Sequence, residues 1–498
     1  MRKAQASAFL ASASPTASDA LVRPVTLATD ALALEGEARD GVVAYLGIPY
    51  ARPPVGAWRW RAPRPLPAGE TVRNLGRFGP DCAQPYLPAM GEQNVEPAST
   101  SEDCLYLNVW APADAGERAY PVMVWLHGGG FRIGGSSLPL YNGDVLAREG
   151  VVVVTLNYRL GRLGFLAHPA WQEDGDSAGN FGLLDQCEAL RFVRRHIGAF
   201  GGDPDNVTLF GESAGGSSVL YLMASPRARG LFDRAIVQSG AIDLPEFDRA
   251  RMAGIAEAFA ANAGLATPDA AGLRALPLET VLGTGPQDKT DTMPFIDGDV
   301  VPCGLYEAFA QGRVAPVPLL IGGTDHEAGF FPPGFSLRVI DAMGPARWRQ
   351  AQAFLDPEQS DYARAARLAT DLFVTLGTRR VARAHAANGH ATYRYEFAYV
   401  PPGARGDALG AVHTDDIPYV FGNALPAGAG ATAEALRRRW VAFARSGQPT
   451  ADGQRPWPAY WPDDETLLHV TDDGERLGPE PGRARLDFLA SLDSLQIN

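Results

Sequence analysis

Residues 207–218 read VTLFGESAGGSS, an apolar run that passes into Gly211-Glu212-Ser213-Ala214-Gly215 and then into small and apolar residues at helical spacing. A strand that becomes a helix over one serine forces that serine onto a sharp, strained turn, where its hydroxyl projects above a sheet. Gly211 and Gly215 remove side chains that would collide where chain segments approach closely. The pattern Gly-x-Ser-x-Gly alone carries little weight, since composition predicts roughly 0.2 chance matches, and it occurs twice here. Gly175-Asp176-Ser177-Ala178-Gly179 follows the polar stretch HPAWQED with no strand before it, and Ser177 reads as a loop serine. Ser213 has the strand before and the helix after, and is the candidate nucleophile.

The rest of the chain continues the strand–helix rhythm of an α/β sheet protein. Strand candidates rich in β-branched residues are 122–126, 151–156, 207–210, 235–237 and 317–321, several of them readable as parallel strands buried on both faces. LLDQCEALRFVRRHIGAF is a long amphipathic helix candidate, and Ala-rich stretches over 247–314 and 330–391 read as helical insertions capping the sheet. A helix closes at Gly447 before Pro/Trp-rich surface packing, with no linker to another domain. The expected organisation is an N-terminal tail over residues 1–25, then a single α/β domain over 26–498. The tail has a basic start and small residues but a weak apolar core, which leaves the location open between cytoplasm and export.

Composition excludes several function classes. The net charge is −13 and no stretch interleaves Arg with aromatics, which disfavours a nucleic-acid partner. The only lysines are Lys3 and Lys289, and neither follows a phosphate-binding glycine loop, so a P-loop NTPase is excluded and lysine Schiff-base chemistry disfavoured. No window approaches the roughly 18 apolar residues of a membrane-spanning helix. Four cysteines are too few for a disulfide scaffold in a chain of 498 residues. Cys82 and Cys104 flank a polar, Pro-containing loop, and a bridge there would contribute roughly 3 kcal/mol in an oxidising compartment. Cys187 reads as a buried core thiol, and Cys303 has no Cys or His at metal-ligand spacing.

Serine attack on a carbonyl leaves a negative oxygen that needs backbone donors. PVMVWLHGGGFRIGG supplies them at a strand end, with Gly129, Gly130 and the N–H of Ala214 as candidates. His127 in that run is read as ordering the loop. The general base must be a histidine downstream of the nucleophile with an acid between them, which leaves His326, His385, His390, His413 and His469. His385 and His390 fall in the helical ARAHAANGH segment and are expected at the surface; His469, in LLHV, is expected to be structural. His413, in GAVHTDDIPYVFG, sits in a loop with an aromatic anchor after it and is preferred. For the acid, IGGTDHEAGFF offers Asp325 or Glu327, and spacing does not choose between them. A zinc-protease helix beginning at His326-Glu327 is excluded because position 330 is Phe.

From about residue 30 to its end the chain resembles the type-B carboxylesterase/lipase family, which includes bacterial para-nitrobenzyl-type esterases and animal cholinesterases. The segments GIPYARPPVGAWRW, SEDCLYLNVWAP, WLHGGGF, LNYRLGRLGFL, GNFGLLDQ and FGGDPDNVTLFGESAGG carry the likeness, with the acid and histidine segments. The resemblance implies an α/β-hydrolase fold: a central, mostly parallel sheet, helices on both faces, and helical insertions over the active site. It also selects Glu327, because the family's acid is a glutamate followed at the same interval by paired aromatics, here Phe330 and Phe331. The implied triad is Ser213, Glu327 and His413. Glu212 matches a residue that supports the cationic histidine, and Ser239 in IVQSGA matches a serine close to the triad. Ala328 and Asp416 depart from the family's usual glycine and glutamate. No Trp lies between Cys82 and Cys104, where choline esterases carry one that binds quaternary ammonium, so a general carboxylesterase is expected rather than a cholinesterase. The expected reaction is cofactor-free and metal-free hydrolysis of a small-molecule ester through an acyl-enzyme. A lipid, amide, carbamate or polyester substrate and a non-catalytic binding role are the alternatives, and monomer or dimer is left open.

Overall fold

The computed structural model describes residues 22–492 apart from 68, 88–95, 97–98, 117, 174–178, 243–245, 266, 284–292 and 407. Its main sheet has twelve strands: β1 (Arg23–Ala28), β2 (Ala33–Arg39), β3 (Val42–Pro49), β4 (Tyr106–Pro112), β5 (Tyr120–Leu126), β6 (Val152–Leu156), β7 (Gly202–Glu212), β8 (Arg234–Gln238), β9 (Leu319–Thr324), β10 (Thr392–Phe397), β11 (Thr466–Thr471) and β12 (Gly474–Pro479). They lie in the order β1-β2-β3-β4-β6-β5-β7-β8-β9-β10-β11-β12. Pairing is parallel from β6 through β11 and antiparallel at both margins.

The central strands are apolar on both faces because helices cover both. Along β5, Val122, Val124 and Leu126 enter one core while Met123 and Trp125 enter the other. The first core takes α1 (Phe181–His196), α2 (Ala214–Ala224) and α3 (Arg249–Asn262). Beyond β9 come α4 (Pro333–Ala351), which changes direction at Gly344, then α5 (Asp361–Thr370) and α6 (Leu376–Ala387). The second core takes α7 (Gly430–Ser446), closed by Gly447 at φ 78°, a left-handed conformation that suits glycine. The final helix among the described residues is α8 (Arg483–Ala490).

All five expected strands are present, and 207–210 extends back to Gly202. The strands β1 to β4 and β12 toward the margins, and the buried parallel strand β10, were not among the candidates. β2, ALEGEAR, buries only alternate side chains, so it has no continuous apolar run to betray it. The expected surface packing after α7 is corrected for Trp457, which is buried against Tyr393. Cys82 and Cys104 are bonded, with their Cα atoms 4.9 Å apart, and Cys187 is a buried free thiol. No helix among the described residues is long and apolar enough to cross a membrane.

Candidate active site

The turn between β7 and α2 places Ser213 at φ 55° and ψ −124°, strained for a residue with a side chain. Its N–H donates to the Gln238 carbonyl on β8 at 2.9 Å, and its carbonyl accepts from the Ser217 N–H at 2.8 Å. The glycines on either side are required by contact. A Cβ at Gly211 would lie 2.6 Å from the Gly215 carbonyl carbon, and one at Gly215 would land on the Leu126 carbonyl of β5.

Three loops at the C-terminal ends of parallel strands bring the expected residues together. Glu327 follows β9 in a single tight turn, Glu327–Phe330. Its Oε1 accepts from Ser239 Oγ at 2.6 Å and from the Thr324 N–H at 2.7 Å. Oε2 meets His413 Nδ1 at 2.5 Å, and His413 Nε2 lies 2.9 Å from Ser213 Oγ. All three side chains of this relay are thus in line. Asp325, the alternative acid, does other work: its Oδ1 accepts from the Ala411 N–H at 2.8 Å, while the His326 N–H donates to the Ala411 carbonyl at 2.9 Å. The acid loop and the histidine loop are therefore joined by a short parallel bridge, His326 to Val412. Residue spacing held no signal for this role of Asp325, because it depends on two loops 86 residues apart.

Burial sets the electrostatics. Glu212 is fully buried, its Oε1 lies 3.2 Å from His413 Nε2, and neither carboxylate oxygen has a well-directed hydrogen bond among the described residues. Burial pushes it up to about 8. In His413 burial acts downward, but the Glu212 and Glu327 carboxylates outweigh it and raise the imidazole to about 9. Among the described residues Asp416 makes no hydrogen bond to His413, though its carboxylate is one of the groups that raise the imidazole. It accepts from Tyr395 at 2.7 Å and Gln238 at 3.0 Å, and burial raises it to about 6.

Beside the serine, Gly129 and Gly130 take φ of 104° and 63° in the loop after β5. Among the described residues no backbone hydrogen bond uses either N–H, and the Ala214 N–H opens a helix, where it has no partner within the helix. These groups border a cavity of about 230 Å³ that also contains Ser213 and His413. Its walls are largely apolar, including Phe131, Ile133, Phe330, Phe331 and Phe373. Phe373 had no sequence signal, since one aromatic within a helical stretch normally packs in a core.

The other histidines are elsewhere. His127 is buried, with Nδ1 at 2.8 Å from the Gly128 carbonyl and its ring stacked on Tyr158. His469 lies on β11 beside Glu396 at 3.1 Å. The surface expectation for His385 is overturned: it is fully buried, with Nδ1 at 2.8 Å from Thr392 Oγ1, because α6 turns that face onto the sheet. Ser177 lies outside the described residues. Among the described residues no three His, Cys, Asp or Glu side chains are grouped to hold a metal ion.

With this geometry in view, known proteins give it a context. Residues 27–340 and 346–489 match the Carboxylesterase family. The fumonisin B1 esterase of Sphingopyxis macrogoltabida is 36% identical over 486 residues, covering 92% of this chain and 88% of that protein. The para-nitrobenzyl esterase of Bacillus subtilis (strain 168) is 37% identical over 461 residues, covering 87% and 92%. A crystal structure of a Geobacillus stearothermophilus carboxylesterase superposes with a TM-score of 0.79 at 33% identity, covering 93% of this chain and 100% of that one. The chain belongs to the carboxylesterase family, as an ester-hydrolysing serine enzyme with the α/β-hydrolase fold.

Proposed function

We propose that Ser213, His413 and Glu327 form the catalytic triad of a carboxylesterase acting on small, largely uncharged esters, within one catalytic unit spanning residues 26–498. The observation that carries this reading is the continuous contact Ser213 Oγ to His413 Nε2 to Glu327. Ser213 Oγ bonds to the ester carbonyl carbon as its proton passes to His413 Nε2. The carbonyl π pair moves to oxygen, which the N–H groups of Gly129, Gly130 and Ala214 receive. When the carbonyl re-forms, the C–O bond to the leaving alkoxide breaks and that oxygen takes the proton from His413, releasing an alcohol and leaving an acyl-serine. Water then adds with His413 as base. Collapse of that second intermediate returns the proton to Ser213 Oγ and frees the carboxylic acid.

Glu327 orients the imidazole and stabilises its cation, with Ser239 and the Thr324 N–H holding the far carboxylate oxygen. The apolar, aromatic walls favour uncharged acyl groups. A carbamate or a longer acyl chain would use the same machinery. The test is hydrolysis of p-nitrophenyl esters from acetate to palmitate, with a serine-directed fluorophosphonate as active-site label. Ser213→Ala is expected to abolish labelling and lower kcat by about 10⁴-fold or more. Labelling that survives the substitution would sink the assignment.

A further inference from the structure

One wall of the cavity over Ser213 comes from a helix whose register is broken. α5 passes into α6 through a single π turn, Asp371–Thr375. Such a turn accommodates one extra residue, rotating the downstream helix by about 100° relative to an unbroken α-helix. It survives only where its surroundings hold it, and here the holding contacts are specific. Asp371, its first residue, is fully buried, and its carboxylate meets Arg485 Nε at 2.5 Å and Arg367 Nη2 at 3.0 Å. Arg367 also donates to the Asp325 carbonyl at 3.0 Å, and Thr370 Oγ1 accepts from the Ala328 N–H at 3.2 Å, so the turn is stitched to the acid loop.

Phe373, at the middle of the turn, lines the cavity with Ser213 and His413. Its ring centroid is 5.7 Å from the His413 imidazole and 5.1 Å from Phe331. Arg485 belongs to α8, the last helix described, and α8 is tied to α6 again by Asp487 and Arg379 at 2.7 Å. The C-terminal helix thus reaches the cavity wall through one buried ion pair.

We propose that Phe373 is a specificity-determining residue that limits the size of the group beside the reacting carbonyl, and that Arg485, through Asp371, is the positioning residue that holds it there. This rests on the ester-hydrolase reading of the site. Removing Arg485 leaves a buried carboxylate short of a partner, a state that a local change in the π turn relieves. The turn carries Phe373 with it. The bonds among Ser213, His413 and Glu327 do not pass through Arg485, so the change falls on substrate size before chemistry.

The experiment measures kcat/KM for p-nitrophenyl acetate, butyrate, octanoate and a branched acyl ester in four proteins: wild type, Phe373→Ala, Arg485→Met and the double variant. Phe373→Ala is expected to raise the bulky esters relative to acetate by about tenfold, the scale of one or two methylenes in an apolar pocket. Arg485→Met should shift the profile in the same direction but add nothing in the Phe373→Ala background, since it acts through that ring. Arg485→Lys keeps the charge and loses the planar fork, so it should give a smaller shift and serves if Arg485→Met does not fold. A profile unmoved by Phe373→Ala, or a shift of equal size with and without Phe373, would overturn the proposal while leaving ester hydrolysis intact. Wild type inert on every ester would instead overturn the reading of the site, and this proposal with it.

Discussion

Glu212 and His413 face one another across 3.2 Å, and the protonation of each depends on the other. A general base works only when neutral, so the rate should rise with pH through the His413 titration. An ionised Glu212 favours the protonated imidazole, and its carboxylate is one of the groups that raise His413 to about 9. Glu212→Gln removes that anion, which lowers the His413 value and moves the acid limb of the kcat/KM profile to lower pH. A limb that stays in place or moves upward in the variant would show that Glu212 does not act through this field. The serine at 213 and the histidine at 413 were legible from their local sequence, whereas Asp325 and Glu327 stand two residues apart and local sequence could not rank them. Contact ranks them: Glu327 reaches the imidazole and Asp325 the backbone of the histidine loop.

At the scale of elements, the β7–Ser213–α2 unit depends on closeness of backbones. Gly215 sits against the Leu126 carbonyl of β5, so Gly215→Ala puts a methyl where backbone already is. The expected cost is about 1–3 kcal/mol, with loss of activity as the serine turn shifts. Urea unfolding of the two proteins, read as a change in midpoint at constant slope, measures it. Strands with two buried faces were readable where both faces are also apolar, as in β5 and β6, but not in β4 or β10, whose buried residues include Asn108 and Arg394. The margins β1 to β3 and β12 were not, since strands with a wet face alternate and mix with turn signals. The π turn was equally hidden. Its residues, DLFVT, have ordinary helical character, and the break in register is upheld by Arg485 more than a hundred residues later.

Across the whole molecule, buried ion pairs join segments distant in sequence. Arg159 is nearly inaccessible, and Asp185 on α1 takes its Nη2 at 2.7 Å and its Nε at 2.8 Å, while Nη1 donates to the Arg61 carbonyl at 2.8 Å. One guanidinium thereby links the N-terminal region, the loop after β6 and α1. Asp185→Ala strands that cation in the interior, and the expected loss of stability is about 3–5 kcal/mol. Chemical denaturation should show it, whereas a substitution on the exposed pair Arg227–Asp299 should cost about 1 kcal/mol or less.

The amino-acid sequence by itself determined the kind of molecule: a sheet covered on both sides, a serine on a strained turn, a glycine-rich loop after a strand and a histidine downstream. Each of these is local, written in the periodicity, glycine placement or turn chemistry of a short stretch, and so survives being read without coordinates. The family resemblance had already chosen Glu327 over Asp325; only the tertiary structure decided that Glu212 is buried beside His413 without a directed hydrogen bond, and that Phe373 forms part of the cavity wall. Those facts arise from contacts between segments tens to hundreds of residues apart. Burial and field strength depend on what the folded chain puts around a group, and no short stretch of sequence contains that information.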